Sequence, residues 1–300
     1  MNPIAILTSD LHIRSDKPEC RTDDFLQTQK EKWQFIKELK NKYNCPILSG
    51  GDVFHVHNPT LELVSEVISW NIPFVTVAGQ HDLPNHNMKN YKRSGLNVLE
   101  QAGIAKVVGQ EKGIFENDDI VVHGFNWNEE PCPLTNKKEG KVYIALIHHF
   151  VYKDKNQFVG AEEIGSSAKR MMKKLKGYDV IVSGDNHQHF IEKSDNQVLI
   201  NCGSLTRQSA DQIDYKPAVW LLLRDTLELV PVYLPIKQEN CTRDHLKAST
   251  EKEARISAFV EKLNDEIEVS LSFEKTVEEL LVKNRIRTET KEIIEEAVYG

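Results

Sequence analysis

Five clusters of histidine and carboxylate residues punctuate the first two thirds of this 300-residue chain: Asp10 with His12, Asp52, Gln80-His81-Asp82, His148-His149, and His187 with His189. Carboxylate, imidazole and amide oxygen together suit a borderline-to-hard divalent ion such as Mn2+, Fe2+ or Zn2+. An aspartate can bridge two such ions about 3.5–4 Å apart. The D-x-H and H-x-H spacings fit a shared target, because residues i and i+2 of an extended chain point the same way. A single histidine near a strand end is ordinarily a hydrogen-bonded surface or core residue. Five clusters in order argue for a site.

The elements that must position them alternate. Ile4–Thr8 is an apolar run ending in Ser9-Asp10, and Asp24–Tyr43 has helical spacing, with Phe25, Trp33, Ile36 and Leu39 on one face and Asp23 or Asp24 as its cap. Pro46-Ile47-Leu48 runs into Ser49-Gly50-Gly51-Asp52, Leu61–Trp70 is a short helix, and Pro73–Val77 is a third strand ending before Gln80. This β-α-β-α-β order predicts a parallel sheet covered on its faces. Further strands are expected at Asp119–His123, Val142–Ile147, Asp179–Ser183, Gln197–Asn201, Ala218–Leu223 and Leu227–Tyr233, the later ones as antiparallel hairpins, with a helix at Gly160–Leu175. Every cluster follows the carboxyl end of a strand, which is where open α/β sheets build sites.

Asp10-Leu11-His12, Gly51-Asp52, Gly79-Gln80-His81-Asp82, His148 and His187-Gln188-His189 resemble, in order, the motifs of the calcineurin-like metallophosphoesterases: D-x-H, G-D, G-N-H-D, H and G-H-x-H. Finer features are similar to the SbcD-type DNA repair nucleases, including phage versions: Gly51-Asp52-Val53-Phe54-His55, Asn201-Cys202-Gly203-Ser204-Leu205-Thr206-Arg207 and Arg21-Thr22-Asp23-Asp24-Phe25. The resemblance implies a four-layer αββα sandwich of two mixed β-sheets. It implies that Asp10, His12 and His189 hold one ion and Gln80, His148 and His187 the other, with Asp52 bridging. His148 is preferred to His149 as the first residue after its strand. His81 would stand beside the scissile phosphate with Asp82 orienting it, and His55 would be a second histidine near substrate.

Two positions depart from the family pattern. Gln80 stands where asparagine is usual, the same ligand type one methylene further out. Asn186 stands where glycine precedes the first histidine, and asparagine tolerates the left-handed conformation almost as well. Beyond the motifs, His86, Lys89 and Arg93 follow the third cluster closely enough to contact substrate phosphates, which would position DNA without reading its sequence. Lys169-Arg170 with Lys173, Lys174 and Lys176 reads first as a solvated helix face. Trp127 and Trp220 read as packing, and Gly95 and Gly103 as loop or cap residues.

Composition narrows the classes. With 40% hydrophobic and 28% charged residues the chain can bury a core. It has no run of eighteen apolar residues, so no membrane span is expected, and residues 1–7 lack the basic flank and apolar length expected of a signal peptide. Five scattered cysteines without a C-x-x-C pair argue against a disulfide scaffold or a cysteine zinc site and point to a reducing cytoplasm. Of the net charge of −7, most lies after Ser249, with eight bases against thirteen acids; the preceding residues carry 30 bases and 32 acids. The body is therefore not a strongly basic sequence-reading DNA binder. Two domains are expected: 1–240 as the phosphoesterase and 241–300 as a Glu/Lys-rich helical segment, with Phe273, Val277, Leu280 and Leu281 on one stripe, that caps the body or docks a partner.

The expected function is a dimetal phosphodiester hydrolase, most specifically a DNA exo- or endonuclease of repair, recombination or replication, using two divalent ions with Mn first and Fe, Zn or Mg as alternatives. The resemblance adds an SbcC-like coiled-coil ATPase and a homodimer as partners. The competing readings are a small-molecule phosphodiesterase or phosphomonoesterase on the same site, and a catalytically weak scaffold for the ATPase.

Overall fold

The computed structural model describes residues 2–154, 165–237, 240–244, 281, 290–292 and 294. The chain divides into two compact units, Met1–Thr242 and Arg243–Gly300. The apolar stripe expected from Phe273 lies outside the described residues, apart from Leu281, which is helical.

Short polar residues set the element ends. After β1 (Pro3–Thr8), Asp24 caps α1 (Phe25–Tyr43) by accepting from the Gln27 N–H at 3.0 Å, and Asn44 ends it in the left-handed conformation. After β2 (Ile47–Ser49), Thr60 and Asn71 do the same for α2 (Leu61–Trp70). There follow β3 (Phe74–Thr76), α3 (Gly95–Gln101), β4 (Ala105–Val107), β5 (Phe115–Glu116), β6 (Ile120–Phe125), β7 (Val142–His148), β8 (Val151–Tyr152), β9 (Ser166–Ser167) and α4 (Ala168–Lys174). The unit closes with β10 (Val180–Gly184), β11 (Phe190–Ser194), β12 (Gln197–Asn201), β13 (Ala218–Leu223) and β14 (Leu229–Tyr233).

Two six-stranded mixed sheets result, in the orders β14-β13-β1-β2-β3-β4 and β11-β12-β10-β7-β6-β5. In the first, β1 to β4 are parallel and β13 joins antiparallel. In the second, β6, β7, β10 and β12 are parallel, so only the flanking β11 and β5 pair antiparallel. The expectation of antiparallel hairpins among the later strands holds for β11–β12 and β13–β14, whereas β7 and β10 are parallel to their neighbours.

Side-chain alternation makes the layers. Ile144, Leu146, Val180 and Val182 face Ala5, Leu7, Leu48 and Val75 across the gap between the sheets. The other face of β7 and β10 (Tyr143, Ala145, Ile147, Ile181) packs on Met171, Met172 and Leu175. On the outer face of the first sheet, Ile6, Ile47 and Phe74 meet Trp33, Ile36, Val64, Val67, Leu96 and Leu99 from α1, α2 and α3. This is a helix–sheet–sheet–helix sandwich. Trp220 belongs to the inter-sheet core. Gly95 is not a loop residue: it begins α3 under a Ser94 cap, and a side chain there would strike Pro59. Four cysteines are buried and Cys132 is exposed. Among the described residues no helix is long and apolar enough to cross a membrane.

Candidate metal centre

The first sheet delivers three clusters from the carboxyl ends of β1, β2 and β3, and the second delivers His148 from the end of β7 and Asp185 to His189 from beyond β10. The chain turns sharply at these points: Asp10 (φ 48°), His12 (φ 43°), Asp52 (φ 50°) and Asp185 (φ 81°) are all left-handed. Such strain in non-glycine residues concentrates where surrounding structure over-determines a site.

Glycines bring the two sheets together here. A Cβ on Gly184 would collide with the Gly50 carbonyl and the Ser9 hydroxyl, and one on Gly50 would lie 2.8 Å from Ser9 Oγ. Bonds cross at the same place: His148 Nδ1 donates to the Gly50 carbonyl (2.6 Å), and the Asp185 N–H donates to Asp10 Oδ1 (3.0 Å). Ser9 Oγ donates to the other Asp10 oxygen at 2.6 Å.

The side chains converge. Asp10, His12 and His187 each place a ligand atom within 4.8 Å of the others, as do Asp10, Asp52 and His148, and His12, His55 and His81. His12 Nε2 lies 3.0 Å from His187 Nε2 and 3.7 Å from Asp52 Oδ2, and His148 Nε2 lies 3.4 Å from Asp52 Oδ2. Asp10, His12, Asp52 and His148 are all buried.

Burial favours the uncharged forms, pushing Asp10 up and His12 well down. For Asp52 and His148 burial is the largest single influence, but the opposite charges around each, the other's first, together outweigh it, holding Asp52 low and raising His148 to about 10.

The donor set fits divalent ions on one decisive observation. Asp52 Oδ2, His148 Nε2, Gln80 Oε1, His12 Nδ1 and His189 Nδ1 are buried without a hydrogen-bond partner. Buried polar atoms are ordinarily satisfied, and Asp52 Oδ2 and His148 Nε2, 3.4 Å apart beside Asp10, are orphans of ligand type that suit a cation.

The expected residues fall as follows. His148 faces the centre, while His149 is half-buried outside these groupings. His187 stands with Asp10 and His12 rather than with His148. His189 lies against the Tyr215 and Trp220 rings, 5.3 and 5.6 Å between centroids. His81 and His55 stack at 5.6 Å, and the His81 backbone N–H donates to Asp52 Oδ1 at 2.9 Å.

Asp82 does not orient His81. Its carboxylate accepts the backbone N–H groups of Val53, Phe54 and Gly79 at 3.0 to 3.1 Å, and burial with the Asp52 charge pushes it up to about 7. The His81 ring is set instead by Nδ1 donating to the His55 carbonyl at 2.8 Å. Nor does Asn186 take the left-handed turn. Asp185 does, freeing Asn186 to bond the Val151 carbonyl and the Gln188 N–H.

His86 is exposed and tied to the site by Nδ1 donating to the Gln80 carbonyl (3.0 Å); Lys89 and Arg93 are exposed on the following 3-10 turn, Met88–Arg93. Lys169, Lys173 and Lys176 line a groove of about 670 Å3 with Asp179, which precedes β10 and so lies at the end of that strand away from the centre. Sequence reasoning missed Asp185, Ser9 and the Gly50–Gly184 contact. An acid two residues before His187 was the available signal for the first.

A model of the calcineurin-like phosphoesterase superfamily domain matches residues 4–218, more than half of the chain. The chain belongs to this superfamily. The superfamily uses two divalent metals, and the residues above are candidates for holding them. The DNA double-strand break repair protein Mre11 of Sulfolobus acidocaldarius is 25% identical over 127 residues, 39% of this chain and 32% of that one. The match thus spans about a third of the relative's length. Solved structures with a similar course include an archaeal phosphodiesterase (TM-score 0.39, 16% identical, 77% of this chain and 99% of that one) and the NAD nucleotidase of Haemophilus influenzae (TM-score 0.43, 14% identical, 77% and 50%). At that distance neither bears on substrate.

Proposed function

We propose that this superfamily member is a Mn2+-dependent nuclease that hydrolyses DNA phosphodiester bonds. The observation that carries a hydrolytic reading is the set of orphaned, buried ligand atoms at the strand ends: Asp52 Oδ2, His148 Nε2, Gln80 Oε1 and His189 Nδ1. DNA as substrate is supported by the partial likeness to Mre11 and by Lys89 and Arg93, exposed beside the His81 loop.

In this reading Asp10, His12, His187 and His189 would serve one ion and Gln80 and His148 the other, with Asp52 shared between them. Two bound dications would acidify water and offset charge on the phosphoryl oxygens. The chain supplies the rest. His81, with Nδ1–H committed to the His55 carbonyl, presents Nε2 to the phosphate; in its imidazolium form it gives the Nε2 proton to the departing oxygen and is left as the neutral Nδ1–H imidazole. His55 stacks on it and lines the approach. Asp82 braces the backbone of the second and third clusters. An SbcC-like ATPase and a second copy of the chain are the proposed partners.

A small-molecule phosphoesterase is the second reading. It is favoured by a cavity of about 150 Å3 beside His187, walled by Phe150, Asp185, Gln188 and Gln212. The deciding experiment is cleavage of labelled single- and double-stranded DNA with Mn2+, beside bis-p-nitrophenyl phosphate, for the wild type and His81→Ala. DNA cleavage lost in the variant supports the nuclease. Hydrolysis of the small ester with DNA untouched moves the assignment to the second reading.

A further inference from the structure

We propose that Asp185 is a positioning residue that fixes the Gln80 amide and aims its oxygen into the centre. The proposal rests on the reading of the centre as a two-ion site.

Gln80 has one more rotatable bond than an asparagine, so its amide has more orientations to lose when it is ordered. The structure shows what limits them. Gln80 Nε2 donates to Asp185 Oδ1 at 2.7 Å. An ionised carboxylate only accepts, so the amide must present its nitrogen to Asp185 and turn its oxygen away. That oxygen, Oε1, is buried without a partner. The amide is thus held by one end while the other is left free for a ligand.

Asp185 is itself held from the first sheet. Its backbone N–H donates to Asp10 Oδ1 at 3.0 Å. Its left-handed φ of 81°, a conformation that aspartate tolerates, carries the chain from β10 into the His187 turn. One residue therefore touches Asp10, assigned to one ion, and Gln80, assigned to the other. Outer-shell carboxylates and carbonyls of this kind orient ligands, and their loss typically lowers metal affinity about 10–100-fold.

The test is a Mn2+ titration of metal-stripped full-length protein, counting free Mn2+ by electron paramagnetic resonance. The proteins are the wild type, Asp185→Ala, Asp185→Asn, Gln80→Asn and the double variant Gln80→Asn/Asp185→Ala. Thermal melts in chelator confirm that each is folded. The expected result is two Mn2+ per wild-type chain, with the weaker of the two binding steps falling about 10–100-fold in Asp185→Ala. Asp185→Asn keeps an oxygen that can accept from Gln80 and stays near wild type. In the Gln80→Asn background the shorter amide falls one carbon short of Asp185, so Asp185→Ala makes no further difference.

Equal loss from Asp185→Ala in both backgrounds would overturn the proposal, since Asp185 would then act on something other than the Gln80 amide. So would an Asp185→Ala chain that binds two ions as the wild type does. If Asp185→Ala does not fold, Asp185→Asn falling to the level of Gln80→Asn would overturn it as well. Fewer than two Mn2+ on the wild type would instead sink the two-ion reading, and the proposal with it.

Discussion

The Nδ1 of His148, at the end of β7, sits 2.6 Å from the carbonyl oxygen of Gly50, at the end of β2. A carbonyl can only accept, so Nδ1 carries a proton, and Nε2, 3.4 Å from Asp52 Oδ2, is the nitrogen that would give up its proton to bind a cation. Backbone from one sheet thereby sets the tautomer of a ligand on the other. His148→Ala should strand a buried carbonyl and leave Asp52 without its facing imidazole. Chemical denaturation in chelator should show a loss of about 1–3 kcal/mol, and Mn2+ binding should fall with it.

Gly184→Ala should be worse than its size suggests. The added methyl meets the Gly50 carbonyl, which is backbone of the facing sheet, and Ser9 Oγ, which can turn aside only by giving up its bond to Asp10. A loss of about 1–3 kcal/mol is expected from overpacking, read as a lowered denaturation midpoint at unchanged slope.

His81→Ala should separate binding from chemistry. Its contact with Asp52 is made by backbone N–H, which the substitution keeps. Mn2+ stoichiometry should stay at the wild-type value, while turnover of a phosphodiester falls about 10²–10⁴-fold with loss of the proton donor.

Lys32 should give stability a pH dependence unrelated to the centre. Burial, with Arg21 and Arg207 nearby and only Asp23 opposing, pushes its ammonium down to about 7. Between that value and the ordinary lysine range the unfolded chain binds the extra proton, so stability rises with pH there, at a slope approaching about 1.4 kcal/mol per unit. Below pH 7 both states are protonated and the slope from this group vanishes. Lys32→Met should flatten the rise and stabilise the protein at neutral pH. Urea titrations from pH 6 to 10 would show it.

The strand ends were legible because their chemistry is local. A continuous apolar run followed by Asp10-Leu11-His12, or Val142–Ile147 followed by His148, needs no tertiary knowledge to read. The helices Phe25–Tyr43 and Leu61–Trp70 announced themselves by period and cap. Short or half-exposed elements did not: β4 is three residues with Lys106 outward, and β11 follows directly on His189 with little alternation. Partners chosen by the approach of two sheets were also hidden. Nothing near Asp82 in sequence says that Val53 and Phe54 will claim its oxygens, and nothing near Asp185 says that Gln80 lies across the gap. For the same reason the left-handed turn was read one residue late, at Asn186.

The left-handed backbone at Asp10, His12, Asp52 and Asp185 narrows what evolution or design can write there. Aspartate, asparagine and, less often, histidine tolerate that conformation, whereas β-branched residues do not. These are also the residues that bind hard and borderline ions. Loop shape thus draws on the same short alphabet as ligand chemistry at Asp10, His12 and Asp52, and as ligand positioning at Asp185. A saturation-mutagenesis screen scored by activity would see a single block of intolerance. Scored by folding in chelator, the same library should split, with asparagine and glycine tolerated and valine and isoleucine rejected.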